Sequence, residues 1–131
     1  MNLKKSTMVL TMVLVLFSGG LLAEAGTSWS GTKHSSVPGM NGYTTTSTQT
    51  KARSNASSDL SISKISVKNK LDTQAIGGGS NGVVSGSWVR DTNVGSYAIP
   101  NPTKSGWSSQ LKFSSDFFSS GVKLTYKWRS N

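Results

Sequence analysis

Few side chains in this chain can take part in acid–base or metal chemistry. The carboxylates are Glu24, Asp59, Asp72, Asp91 and Asp116, the single histidine is His34, and 131 residues contain no cysteine. Glycoside hydrolysis needs two carboxylates that converge. Here each aspartate stands apart in a Ser, Asn or Thr context, and turn capping accounts for all four. His34 lies between Lys33 and Ser35-Ser36, but neighbouring positions in a Gly/Ser-rich segment do not build a nucleophile with its base. There is no D-x-[DN]-x-[DN]-G calcium loop. The run Gly77-Gly78-Gly79-Ser80-Asn81-Gly82 lacks the Lys-Ser/Thr ending of a phosphate-binding loop. The absence of cysteine excludes thiolate zinc sites and disulfides, and one imidazole is too few for a His-based cluster. The chain reads as non-enzymatic, with no metal and no cofactor.

Charge is the concentrated feature that remains. Fourteen Lys and Arg oppose five Asp and Glu, for a formal charge of +9. Lys112, Lys123, Lys127 and Arg129 fall on the polar parity of two alternating stretches, while Lys64, Lys68 and Lys70 cluster elsewhere. Lysine on a β face also serves solubility and blocks edge pairing. A face built for solubility alone mixes both signs, and here negative charge is nearly absent. The four residues Lys112, Lys123, Lys127 and Arg129 are therefore candidate contacts for an anionic partner held by nonspecific electrostatic attraction.

The elements that must position these cations begin after a leader. Lys4-Lys5, the apolar run Met8 to Phe17 and the small-x-small triplet Ala23-Glu24-Ala25 have the order of a secretory signal peptide. The run is about ten residues, whereas a membrane span needs about twenty; an uncleaved anchor is the alternative. The organisation expected is a signal-peptide helix over residues 1–25, cleaved after about Ala25, a flexible arm over 26–42, and one β domain over 43–131. Without Lys4, Lys5 and Glu24 the charge is about +8. The remaining apolar residues are nearly all β-branched or aromatic, a strand-forming vocabulary.

Several strands are readable. Tyr43 to Lys51 is Thr-rich and suits an exposed or edge strand. Leu60 to Val67 reads as one strand with a bulge at Lys64, Asn69 to Gly82 as a loop or turn, Val83 to Arg90 as a strand, and Gly95 to Ile99 as a short one. In Gly121 to Arg129, Val122, Leu124, Tyr126 and Trp128 alternate with Lys123, Thr125, Lys127 and Arg129, the period of a half-buried strand. Trp107 to Phe113 is expected to pair with it as a hairpin, so that Lys112 joins the same basic face. Phe117 and Phe118 in the connection either cover the end of the core, the expected outcome, or form an exposed anchor. Short strands separated by turns about every ten residues indicate an all-β protein, a small antiparallel β-sandwich or barrel.

The leader followed by Gly26-Thr27-Ser28-Trp29-Ser30-Gly31, the Cys-free cationic body and the aromatic final strand resemble small secreted β-rich proteins of Gram-positive bacteria, the lactococcin-972-type bacteriocins among them. The resemblance covers the two ends of the chain. It implies interference with the envelope of related bacteria and carries over no catalytic residue. The segment Trp107 to Tyr126 is also similar to secreted proteins of bacilli, which implies no function. Nucleic acid as a partner would require aromatics interleaved with the cations, whereas Tyr126 and Trp128 have the opposite parity to Lys123 and Lys127. Export and charge together lead to the expectation of a secreted, non-enzymatic protein that associates with anionic cell-wall polymer or a membrane surface. A bacteriocin-like antibacterial protein is the alternative.

Overall fold

In the computed structural model, which describes residues 24–68, 70–80 and 82–131, every regular element is a strand. These are β1 (Glu24–Ala25), β2 (Lys33–Pro38), β3 (Tyr43–Thr45), β4 (Gln49–Thr50), β5 (Ser58–Ile65), β6 (Leu71–Gly79), β7 (Gly82–Ser85), β8 (Gly95–Ile99), β9 (Ser108–Ser115) and β10 (Gly121–Arg129). One sheet has the order β1-β4-β9-β6-β7, with β3 also paired to β9; the other has the order β2-β10-β5-β8. All pairings are antiparallel except β1 with β4. The expected all-β class is met by two packed sheets rather than a closed barrel. The signal-peptide helix lies outside the described residues, and β1 ends at Ala25, where cleavage is expected.

The core forms where the apolar parities of the two sheets meet. Val122, Leu124, Tyr126 and Trp128 of β10 are all at most 4 % exposed, and they face Leu111 and Phe113 of β9 and Leu71 and Ala75 of β6. Phe113 and Tyr126 touch edge to face, with centroids 5.0 Å apart. This contact corrects the expected hairpin, since β9 and β10 lie in opposite sheets. The reason is burial. Side by side, two strands with one apolar face each would leave both faces open on the same side, whereas face to face they cover one another. Residues 116–120 therefore cross between the sheets. Phe117 and Phe118 are 58 % and 90 % exposed at that crossing, so they do not cover the core as expected.

Three other segments differ from expectation. Residues 33–38, read as part of an arm, form β2, paired with β10 along its length, and Val37 enters the core. Leu71–Gly79, read as a loop on account of its glycines, is a central strand paired with β9 over its first eight residues. There glycine serves close approach rather than turning. A Cβ on Gly77 would lie 1.9 Å from the Thr103 hydroxyl oxygen, and one on Gly79 2.5 Å from the Trp107 ring. Val83 to Arg90 supplies only the short β7 and then an isolated bridge from Val89 to Thr73. The bulge in β5 is present but falls at Ser63, since Thr125 pairs with Lys64 and Tyr126 with Ile62. That offset keeps Ile62 and Ile65 on one face.

The two ends of the sandwich differ in chemistry. At one, a buried polar web ties the last residues down. Asn101 Nδ2 donates to Ser58 Oγ and Ser109 Oγ at 2.7 and 2.8 Å, and Ser130 N donates to Gln49 Oε1 at 2.7 Å. Lys51, 1 % exposed, donates from Nζ to the main-chain oxygens of Ala56, Ser130 (2.9 Å) and Asn131 (3.0 Å). Burial, and then the charge of Arg53, lower its pKa from 10.5 to about 8. The folded state thus binds fewer protons than the unfolded chain between these values, so stability rises with pH across that window and is flat below it. The unfolding free energy from urea titrations should climb from pH 8 to 9.5, by up to about 1.4 kcal/mol per pH unit. Lys51→Met should remove the climb, and an equal climb in that variant would refute the assignment.

Candidate anion-binding site

Alternation along β10 places Lys123, Thr125, Lys127 and Arg129 on the outer face of their sheet. The neighbouring strands complete that face. Ser36 and His34 of β2 lie opposite Lys123 and Thr125, and Lys64, Ser61 and Asp59 of β5 lie opposite Thr125, Lys127 and Arg129. A groove of about 800 Å³ crosses this face, lined among others by His34, Ser36, Ser63, Lys64, Lys123 and Thr125, with no carboxylate in its wall among the described residues. His34 Nδ1 and Thr125 Oγ1 are 3.0 Å apart. The wall thus offers two ammonium groups, an imidazole and several hydroxyls, a donor set suited to phosphate or carboxylate oxygens.

The four cations expected to act together do not form one patch. Lys112 sits on β9, on the outer face of the opposite sheet, because the strands that carry it and Lys123 are not neighbours. Arg129 is on the correct face but is paired, with Nε 2.7 Å from Asp59 Oδ2. Burial alone would raise the Asp59 carboxyl. Hydrogen bonds from Asn131 and Arg129 and the charges of Arg129 and Arg53 outweigh it and hold the pKa below its ordinary value. Among the described residues, Lys123 and Lys127 have no carboxylate partner. Lys64 and His34 were not singled out for this face; the register that brings them there links positions far apart in the chain and leaves no local mark.

The cations do have aromatic neighbours, though not those of β10. Tyr126 and Trp128 point inward as their parity requires, but the Trp29 ring lies 5.0 Å from Lys127 Nζ and 4.8 Å from Arg129 Cζ. On the opposite sheet, Lys112 Nζ is 4.3 Å from the Tyr43 ring and 5.8 Å from that of Trp88, which Arg90 also approaches at 5.4 Å. Aromatic and cationic side chains therefore do interleave, so the parity of Tyr126 and Trp128 alone does not argue against stacking partners.

The aspartates also depart from expectation. Asp72, Asp91 and Asp116 bring carboxylate oxygens within 4.8 Å of one another. They converge because the start of β6, the turn at 90–92 and the end of β9 meet: Thr92 N donates to Leu71 O, and Asp116 N to Lys70 O. The cluster is partly compensated, with Arg90 2.7 Å from Asp72 and Lys70 3.7 Å from Asp116, and Asp91 N donates to Asp72 Oδ1 at 3.0 Å. These three residues could supply oxygens to a cation.

Comparisons with protein-family models, curated proteins and solved structures find no match to this chain.

Proposed function

We propose that this chain is an exported, non-enzymatic β protein that associates with anionic cell-envelope material through the outer face of β2, β10 and β5. The observation that carries the reading is the groove, whose wall holds Lys64 and Lys123 beside His34 and hydroxyls, with no carboxylate among the described residues. Lys127 and Trp29 extend the cationic surface along β10. The net charge, +9 for the whole chain and about +8 without the leader, supplies the long-range attraction. Contacts of this kind are screened, since the Debye length falls from about 30 Å at 0.01 M salt to about 8 Å at 0.15 M.

Retention on isolated cell-wall material or phosphatidylglycerol vesicles should accordingly be strong at 10 mM salt and collapse by 500 mM. No retention at low salt, or retention unaffected by salt, overturns the reading. Duplex and single-stranded oligonucleotides belong in the same titration. Preferential capture of either over envelope material would replace this partner class with nucleic acid.

A further inference from the structure

The end of the sandwich opposite the polar web exposes apolar side chains that the groove does not use. The β9 to β10 connection carries Phe117 and Phe118, 58 % and 90 % exposed, packed edge to face with centroids 4.9 Å apart. The β2 to β3 connection adds Met40, 66 % exposed, and is fastened to the first by Met40 N to Ser119 O at 2.8 Å and Asn41 N to Asp116 O at 3.1 Å. Two interlocked loops thus hold three large apolar side chains in water. An adjacent pair of phenylalanines in such a position calls for an apolar medium or a partner.

The surrounding charge indicates which. Lys123 lies two residues beyond Gly121, so it stands about 7 Å along β10 from the crossing, in the wall of the groove. The β5 to β6 connection brings Lys68 and Lys70, and Ser66 of that connection is bonded in both directions to the Lys123 backbone, at 2.9 and 2.8 Å. Asp116 directly precedes Phe117 at the root of the tip and meets Asp72 and Asp91 at the start of β6, where Arg90 and Lys70 face this cluster. On the side of β5 and β10, Lys64, Lys68 and Lys123 have no carboxylate partner among the described residues.

We infer that the Phe117–Phe118 tip, with Met40, inserts into the interfacial region of an anionic lipid bilayer while Lys64, Lys68 and Lys123 contact its headgroups. The inference rests on the anionic-surface reading above and narrows it to lipid. Neither signal suffices alone: the aromatic pair gives shallow apolar burial and the lysines give attraction to anionic headgroups, a pairing that makes peripheral membrane association stable. The tip needs no rearrangement of the core, since its side chains already project from it.

The test uses the full chain, vesicles of phosphatidylglycerol and phosphatidylcholine, and soluble polyphosphate as a lipid-free polyanion. In Phe118→Trp, the emission added over the wild type should shift to the blue on vesicles and be quenched by brominated lipid. Phe117→Ser with Phe118→Ser should lower vesicle partitioning by about tenfold or more while polyphosphate binding stays unchanged. Thermal melting of each variant verifies that it is folded, as expected for exposed positions. A vesicle-bound Phe118→Trp protein with unshifted emission overturns the insertion, as does wild-type binding to polyphosphate but not to vesicles. Both of those results leave the anionic-surface reading standing. Binding to neither probe at low salt overturns that reading as well.

Discussion

Replacing Lys64 and Lys123 together by glutamate should reduce affinity for an anionic surface by roughly two to three orders of magnitude at low salt. Each lysine near such a surface contributes about 1 kcal/mol, and a reversal adds a repulsion of similar size. Two reversals therefore amount to about 4 kcal/mol, and every 1.4 kcal/mol is a factor of ten. Screening lowers the effect, which should fade as salt rises. The decisive control is an equal change in net charge outside the groove, Lys104→Glu with Lys112→Glu. If the groove face docks, the control loses far less than the groove variant. Equal losses would mean that only bulk charge matters and that the groove has no special part. All four lysines except the half-buried Lys112 are exposed, so folding should be little affected, and matching urea midpoints would verify this.

The sequence makes plain which faces are buried but not which strands are neighbours. The strict alternation of Val122 to Arg129 defines β10 to the residue. Pairing is a long-range property, however, and the apolar parity of β9 is satisfied equally well beside β10 or opposite it. The misplacement of Lys112 follows from that ambiguity alone. In β6, three consecutive glycines imitate a turn. For Gly77 and Gly79 the cause, the approach of Thr103 and Trp107 to the sheet, lies some 25 residues further along the chain and has no local signature. The basic face is legible only in part: Lys123 and Lys127 follow from alternation, whereas Lys64 and His34 need the register of β5 and β2 against β10. Trp29 and the convergence of Asp72, Asp91 and Asp116 depend in the same way on loops meeting.

The same architecture separates what holds the fold from the face proposed to meet a partner. The inward parity of β10 joins the apolar core and its outward parity forms the groove face, so one strand does both jobs without compromise. With no disulfide available, the chain end is secured instead by buried polar groups around Lys51, Gln49 and Asn101. Such groups add directional bonds to a core that has few large apolar side chains. They also leave the opposite end free to carry exposed phenylalanines without loosening the sandwich.

Trp128→Ala should therefore be the most damaging single change to stability, at about 3–5 kcal/mol, out of a total of about 5–15 kcal/mol for a domain of this size. Trp128 is 0 % exposed and is the largest of the fully buried side chains. How much a truncation costs depends on how far the surroundings can collapse into the space. Here the backbone is tied from both sides. Trp128 N donates to Ser30 Oγ at 3.0 Å, and its oxygen accepts from Ser30 N at 2.7 Å and Gln49 Nε2 at 3.2 Å. Leu60 is its partner in the next strand. A strand so anchored cannot move in to fill the cavity, which places the cost toward the upper end of the range. The melting temperature should fall by about 10–20 °C. Trp128→Phe, which refills part of the volume, should fall between that variant and the wild type. Trp29→Ala removes the same residue type from a site that is 38 % exposed, over Lys127 and Arg129. It should cost no more than about 1 kcal/mol. A Trp128→Ala protein that unfolds at the wild-type midpoint would show that the inward face of β10 does not centre the core, and with it the outward assignment of Lys123 and Lys127 would fall.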